Sequence, residues 1–136
     1  MRQVQTRPPS FPDAPLDALL APQAEVCWQV LCGDHGHWRV GLYSPDLSSL
    51  AEVGELERHD CPELFLLLSG ELTLVLADAG SPGGVRELPL EHGRPVLVSS
   101  PHSGYCPGGP HHGVAFVVER DSFDTEYRAP LDWTRG

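Results

Sequence analysis

Residues 63–77 read ELFLLLSGELTLVLA, and this stretch decides the fold class. Residues 63–68 contain an unbroken apolar run, which is typical of a strand buried on both faces. Ser69 and Gly70 then predict a tight two-residue turn, because glycine adopts positive φ angles at little cost. Residues 71–77 follow at once as a second β-rich segment. The stretch therefore predicts two consecutive strands joined as a hairpin.

Short β-rich segments and turn signals alternate along the rest of the chain. The other segments with strand character are residues 25–31, 38–43, 85–90, 95–99 and 114–119, and residues 50–57 lead into another strand. Turn signals separate them at residues 33–36, 44–46, 81–84 and 91–93, and in a Gly/Pro/His-rich loop at 100–112. About seven or eight short strands without a long helix are typical of a sandwich, barrel or jelly roll.

Composition narrows the range of partners. The chain has 136 residues, which fits one domain with one core. Its net charge of -10, with only 9 basic residues, argues against nucleic acid and against anionic membrane surfaces. The first residues show no signal-peptide pattern and no apolar run is long enough to span a membrane, so we expect a cytoplasmic protein. In that compartment the four cysteines are expected to be free thiols.

The first 23 residues differ from the rest by their proline content. Five prolines in this stretch forbid a long helix, although one helical turn fits residues 13–20. We therefore divide the chain into a proline-rich N-terminal arm, residues 1–23, and a β-barrel domain, residues 24–136. The arm is expected to pack on the barrel or on a partner subunit.

The chemistry is concentrated just before the decisive stretch. Residues 57–63 read ERHDCPE, and alternate residues of an extended chain share a face. Glu57, His59, Cys61 and Glu63 would then point the same way, and all four are potential metal ligands. Such a row, if turned inward, needs a bound cation or a hydrogen-bond network to offset its burial. If the row is turned outward, it is a polar strand face, and spacing alone does not decide between the two.

The same residues resemble the first motif of the cupin superfamily. That motif has the form His-x-His, three or four residues, Glu, six residues, Gly. Here His59, Glu63 and Gly70 stand in register with its second His, its Glu and its Gly. Glu57 occupies the position of the first His, so it either replaces that ligand or is a bystander.

The second cupin motif is represented more weakly. Gly93 opens the segment and Pro101 fits the motif's proline. Five residues beyond that proline the motif usually has a His, and this chain has Cys106. His102, next to the proline, is the other candidate. We favour Cys106, because it keeps the usual distance to the last strand.

The resemblance implies a double-stranded β-helix (jelly-roll barrel), often dimeric, with a metal ion inside the barrel. The implied ligands are Glu57, His59, Glu63 and Cys106, with His102 as a non-ligating residue that moves protons. Iron, manganese, zinc and nickel all suit such a set. No nucleic acid or membrane is expected as partner.

Two functions for the barrel remain open at this point, beside a mainly structural or partner-binding role through the proline-rich arm. The first is a metal-dependent enzyme, dioxygenase-like or isomerase-like, that acts on a small molecule. The second is a non-catalytic module that binds a small ligand in a barrel with an eroded metal site. The presence of about one metal ion per chain would separate the two.

Overall fold

The structure, a computed structural model, describes residues 2, 10–12, 26–78 and 84–134. Within these residues the chain forms ten strands, one 3₁₀ turn at Leu50–Glu52 and one short helix. The strands are β1 Trp28–Asp34, β2 Trp38–Tyr43, β3 Leu56–His59, β4 Glu63–Gly70, β5 Thr73–Leu76, β6 Arg86–Pro89, β7 Val96–Val98, β8 His102–Tyr105, β9 Gly113–Arg120 and β10 Thr125–Arg128. The helix, α1, is Pro130–Thr134.

The strands form two antiparallel sheets of five strands each. The first sheet has the order β1-β2-β9-β4-β7 and the second β10-β3-β8-β5-β6. Strands that follow one another in the chain are often far apart in a sheet, as expected for a jelly roll. This architecture confirms the predicted all-β fold class.

The main core lies where the two sheets face each other. It contains buried residues from four strands and from the segments between them. Its buried members are Phe65, Leu67, Leu72, Leu74, Leu76, Leu90, Val98, Cys106, Ala115 and Val117. Inward residues on β9 alternate with half-buried outward ones, which is the pattern of a strand with one face on the core.

The predicted hairpin at residues 63–77 is wrong. β4 continues through Ser69 to Gly70 and pairs with β7 and β9, whereas β5 belongs to the other sheet. A register shift between Leu67 and Ser69 bends the end of β4, and Gly70 has a φ of 68°. A Cβ at Gly70 would lie 1.8 Å from the carbonyl oxygen of His112. Gly70 therefore allows the chain to turn sharply and cross from one sheet to the other. β4 and β5 then lie in opposite sheets instead of pairing as a hairpin.

Two strands fall where the sequence predicts none. β8 lies inside the segment predicted as a loop, and it pairs with β5 along all four of its residues. β10 follows the last predicted strand and pairs with β3. Both are short and polar, so their own residues carry little strand signal. They form because neighbouring strands offer them free backbone partners.

The part of the N-terminal arm that the structure describes packs on the barrel. Phe11 exchanges two backbone hydrogen bonds with Gly33 in β1, with N···O distances of 3.1 and 2.8 Å. The side-chain oxygen of Ser10 accepts a hydrogen bond from the backbone N–H of His35 at 2.6 Å. The predicted helical turn at 13–20 and most of the predicted turn at 81–84 lie outside the described residues. None of the helices in the described ranges has the length and apolarity that a membrane span requires.

Candidate metal centre

A cavity of about 370 Å³ lies between the two sheets. This volume falls at the small end of the range for small-molecule sites, about 300–1,000 Å³. One part of its wall is aromatic and contains Trp28, Tyr43, Phe65, Phe123 and Tyr127. The remainder carries a concentration of ionisable side chains.

Four of these side chains come from three strands that the fold brings together. Glu57 and His59 lie on β3, Glu63 begins β4 and His102 begins β8. Glu57 is paired directly with His102 across the β3–β8 ladder, so the two side chains share a face. We call Glu57, His59, Glu63 and His102 the His/Glu cluster.

The polar atoms of the His/Glu cluster converge on one small volume. The Nε2 atom of His102 lies 3.2 Å from Oε2 of Glu63 and 3.8 Å from Oε1 of Glu57. The Nε2 atom of His59 lies 3.5 Å from Oε1 of Glu57 and also contacts Oε1 of Glu63. One ligand atom each from Glu57, His59 and His102 can be chosen so that all lie within 4.8 Å of one another.

Both imidazole rings are oriented by contacts of their Nδ1 atoms. The Nδ1 atom of His102 lies 2.9 Å from the carbonyl oxygen of Ser100. A carbonyl oxygen only accepts hydrogen bonds, so Nδ1 carries the proton and a neutral ring keeps its Nε2 lone pair free. In His59 the Nδ1 atom lies 2.8 Å from the hydroxyl oxygen of Thr125.

Burial affects the protonation of the cluster. It lowers the pKa of His102, although the hydrogen bond to Ser100 and the charge of Glu57 act in the opposite direction. Burial also opposes ionisation of Glu57, but the contacts with His59 and His102 outweigh it and hold the pKa of Glu57 below its usual range. Neutral imidazoles and ionised carboxylates are the protonation states that bind metal ions.

The residues present fit a bound cation. Glu63 and His102 are only 3% and 4% exposed. Two of their buried atoms, Oε1 of Glu63 and Nε2 of His102, have no hydrogen-bond partner in the described structure. Both atoms lie close to other members of the cluster, Oε1 of Glu63 to Nε2 of His59 and Nε2 of His102 to Oε2 of Glu63, without forming a hydrogen bond. Polar atoms without a hydrogen bond at this depth are rare and destabilising, and a metal ion in contact with both would satisfy them.

The structure brings together three of the four ligands implied by the resemblance and replaces the fourth. Cys106 lies outside the His/Glu cluster, fully buried in the main core. Its thiol contacts the carbonyl oxygens of Pro45 and Gly113 at 3.5 and 3.6 Å, and burial raises its pKa. Cys106 is four residues beyond His102, which corresponds to about 13 Å along an extended chain. His102, which we expected to move protons without binding metal, stands in its place in the cluster.

A partly buried ion pair in the same cavity was not predicted from the sequence. Arg39 on β2 donates from Nε and Nη2 to Oε2 of Glu119 on β9, at 3.3 and 3.0 Å. Burial raises the pKa of Glu119, an effect that the charge of Arg39 partly offsets. The signal was present in the alternation of β9, because Glu119 continues the inward row formed by Ala115 and Val117.

Comparison with known proteins bears on the fold. No protein-family model and no curated protein matches the chain. Among solved structures, a cupin-2 domain protein from Shewanella frigidimarina NCIMB 400 is similar with a TM-score of 0.53 and 13% identity, over 76% of this chain and 89% of that chain. A cupin 2 domain-containing protein from Halorhodospira halophila is similar with a TM-score of 0.53 and 16% identity, over 82% and 73% of the two chains.

A protein described with iron(II) is also among the similar structures. HppE, described in its iron(II) form, has a TM-score of 0.52 and 13% identity, over 68% of this chain. The chain spans 48% of the length of HppE. Identities this low concern the fold and leave function to the site itself. These similarities confirm that the chain has the barrel fold of the cupin superfamily.

Proposed function

We propose that the protein is a metal-dependent enzyme acting on a small molecule, with a divalent metal ion held by the His/Glu cluster. The observation that carries this proposal is the pair of buried atoms without a hydrogen bond, Oε1 of Glu63 and Nε2 of His102, at the point where the side chains of the His/Glu cluster converge. Two imidazoles and two carboxylates suit iron(II), manganese, zinc or nickel. The iron(II) form of HppE makes iron the first metal to test.

The residues around the cluster have separate roles in this proposal. A metal ion at the cluster supplies Lewis acidity or, if redox-active, oxygen activation. The aromatic wall, including Trp28 and Phe65, excludes water and contacts the substrate. Glu119 is the cavity carboxyl outside the cluster, and its raised pKa suits it to hold or release a proton at its carboxyl oxygens. This role replaces the one that the sequence suggested for His102.

The identity of the metal decides between the dioxygenase-like and isomerase-like alternatives. A redox-active ion such as iron or manganese would permit consumption of oxygen, whereas zinc would supply Lewis acidity alone, which suits proton transfer next to a polarised carbonyl. A second candidate, a non-catalytic binding module, is favoured by the number of ligands. Four protein ligands complete the tetrahedral coordination of zinc and leave no open position for a substrate.

The test is the metal content of protein purified without an affinity tag and then reconstituted with each metal in turn. We expect about one ion per chain in the wild type and a loss of the ion in His59→Ala. The matched control is His92→Ala, since His92 is exposed and lies outside the cavity. A wild type without metal after reconstitution, or a His59→Ala variant with full content, would contradict the proposal.

We also propose that the protein is a cytoplasmic homodimer. All four cysteines are unpaired in the structure, which suits a reducing compartment. The outward face of the first sheet exposes Leu68 and Leu97, which are 50% and 68% accessible. Large apolar side chains exposed on one face support a surface for a second copy. Leu97→Glu should then give a monomer in analytical ultracentrifugation, and a wild type that is already monomeric would contradict this.

A further inference from the structure

We propose that the cavity binds a small organic anion, and that Arg39 recognises its negative charge. The inference names the substrate class for the site proposed above and therefore rests on that function. The first observation is that the chain and the cavity wall contain few positively charged side chains. The chain contains no lysine. Among the described residues that line the cavity, Arg39 alone carries a permanent positive charge.

Arg39 is held in a fixed orientation by its surroundings. Its guanidinium group lies 5.6 Å from the ring centroid of Trp28 and 5.1 Å from that of Phe123. Its side chain is 25% exposed and that of Glu119 only 3%. An arginine fixed in this way loses little entropy when it binds a ligand, and its planar fork matches a carboxylate.

The ion pair with Glu119 uses only part of the guanidinium. Nε and Nη2 both donate to the same oxygen, Oε2 of Glu119. The Nη1 group has no hydrogen bond to any residue that the structure describes. Arg39 lines the cavity and its side chain is 25% exposed, so the Nη1 group remains available to a ligand there. A carboxylate, sulfonate or phosphate oxygen is the acceptor that such donors bind most strongly.

Charge balance in the metal-loaded cavity also favours an anion. Glu57 and Glu63 together offset a divalent ion, and Glu119 offsets Arg39. An anion can then approach a Lewis acid and a guanidinium without facing an excess of negative charge. Arg39 already lies over the rings of Trp28 and Phe123, so these two rings are not free to bind a cationic ligand.

A second cavity next to the site determines the ionic strength at which binding is tested. A cavity of about 710 Å³ adjoins the first one through shared residues and is lined by Asp46 and Glu55 as well. These carboxylates repel anions at low salt. At an ionic strength of about 0.15 M the screening length is about 8 Å, so their effect on binding is largely suppressed. Titrations are therefore made at that ionic strength.

The experiment compares three probes of nearly equal shape: benzoate, benzamide and benzylamine. Each is titrated calorimetrically into zinc-loaded protein whose zinc content is measured in the same sample. We expect benzoate to bind about tenfold or more tightly than benzamide, the scale of one charge-assisted hydrogen bond. Benzylamine is expected to bind most weakly. Equal binding of benzoate and benzamide, or tighter binding of benzylamine, would overturn the inference.

Variants locate the recognised charge. Arg39→Gln should remove the preference for benzoate and leave benzamide binding unchanged. A preference that persists in this variant would place the anion on the metal alone and overturn the role of Arg39. Glu119→Gln should strengthen benzoate binding severalfold, because it removes the competing negative charge. This second variant keeps the inference testable if Arg39→Gln does not fold, since weaker or unchanged benzoate binding would contradict it.

A matched control and the zinc content separate this inference from the proposed function. Arg58→Gln removes a positive charge outside the cavity, where Arg58 stacks on Trp133 at 5.3 Å, and should change none of the affinities. One zinc per chain without a preference for benzoate refutes the anion inference and leaves the metal site standing. Absence of zinc from the wild type refutes both.

Discussion

Glu63→Gln should have opposite consequences in the metal-free and metal-loaded protein. Glu63 is 3% exposed and its Oε1 atom has no hydrogen-bond partner in the described structure. An unsatisfied buried polar group destabilises a protein by about 1–3 kcal/mol, and more if it is charged. A neutral amide of the same shape removes the buried charge. We therefore expect the metal-free variant to be more stable than the metal-free wild type by about 1–3 kcal/mol.

In the metal-loaded protein, loss of the Glu63 ligand should weaken metal binding and therefore reduce the stabilisation that the metal provides. Changes in the outer shell of metal sites reduce affinity about 10–100-fold, so removal of a direct carboxylate ligand should reach at least the upper end. A hundredfold loss of affinity lowers the stabilisation by saturating metal by about 2.7 kcal/mol. Urea unfolding with chelator and with excess zinc measures both free energies of unfolding.

Glu71→Gln is the control for this comparison, because Glu71 is exposed. Its effect should stay within about 0.5 kcal/mol in both forms. The reasoning is refuted if metal-free Glu63→Gln is less stable than the wild type. Glu63 would then be satisfied within the protein, and the His/Glu cluster would be a hydrogen-bond network that stabilises the barrel.

Three further predictions test the ligand set, the sheet corner and the protonation of the site. His102→Ala should abolish metal binding, whereas Cys106→Ser should keep about one ion per chain, as measured by elemental analysis; equal metal content in the two variants would contradict the assignment. Gly70→Ala should unfold at lower urea concentration than Gly93→Ala: both have positive φ, with a strain of about 1–3 kcal/mol, but only at Gly70 does a Cβ meet backbone, 1.8 Å from the oxygen of His112. In chelator-treated protein, the lowered pKa of His102 means that the unfolded chain takes up a proton at this residue below about pH 6.5 while the folded chain does not. Stability should therefore fall as the pH drops from 7.5 to 5.5, and this part of the fall should be absent from His102→Gln.

The fold class follows from local patterns, but the sheet pairing does not. β2 lies where the strand signals and the turn at residues 33–36 predict it, and β9 exceeds the predicted segment 114–119 by one residue at each end. The pairing of residues 63–70 was predicted incorrectly, because an apolar run indicates a buried strand without naming its neighbour. β4 pairs with β9, which begins 43 residues after β4 ends. Only the closed barrel determines that partner.

The candidate site, like the fold, was predicted only in part from the sequence. Glu57 and His59 are two residues apart on β3, so the alternation of an extended chain was enough to place them on one face. The same alternation grouped Cys61 and Glu63 with them, but the chain leaves β3 at His59, and Glu63 begins β4 in the other sheet. The fold, and not a shared strand face, brings Glu63 to the cluster. The choice between His102 and Cys106 depended on where β8 begins, and β8 has little strand signal of its own. Its first residue is His102 because β3 and β5 offer hydrogen-bond partners there.

The sequence by itself determined an all-β chain, because short β-rich segments alternate with turn signals, and it placed Glu57, His59 and Glu63 near one another because they are close along the chain. Only the tertiary structure decided that His102 completes the His/Glu cluster and that Arg39 and Glu119 share its cavity. Those residues lie on β8, β2 and β9, far from one another along the chain. The pairing of distant strands in the barrel brings them together, and no local sequence pattern predicts that pairing.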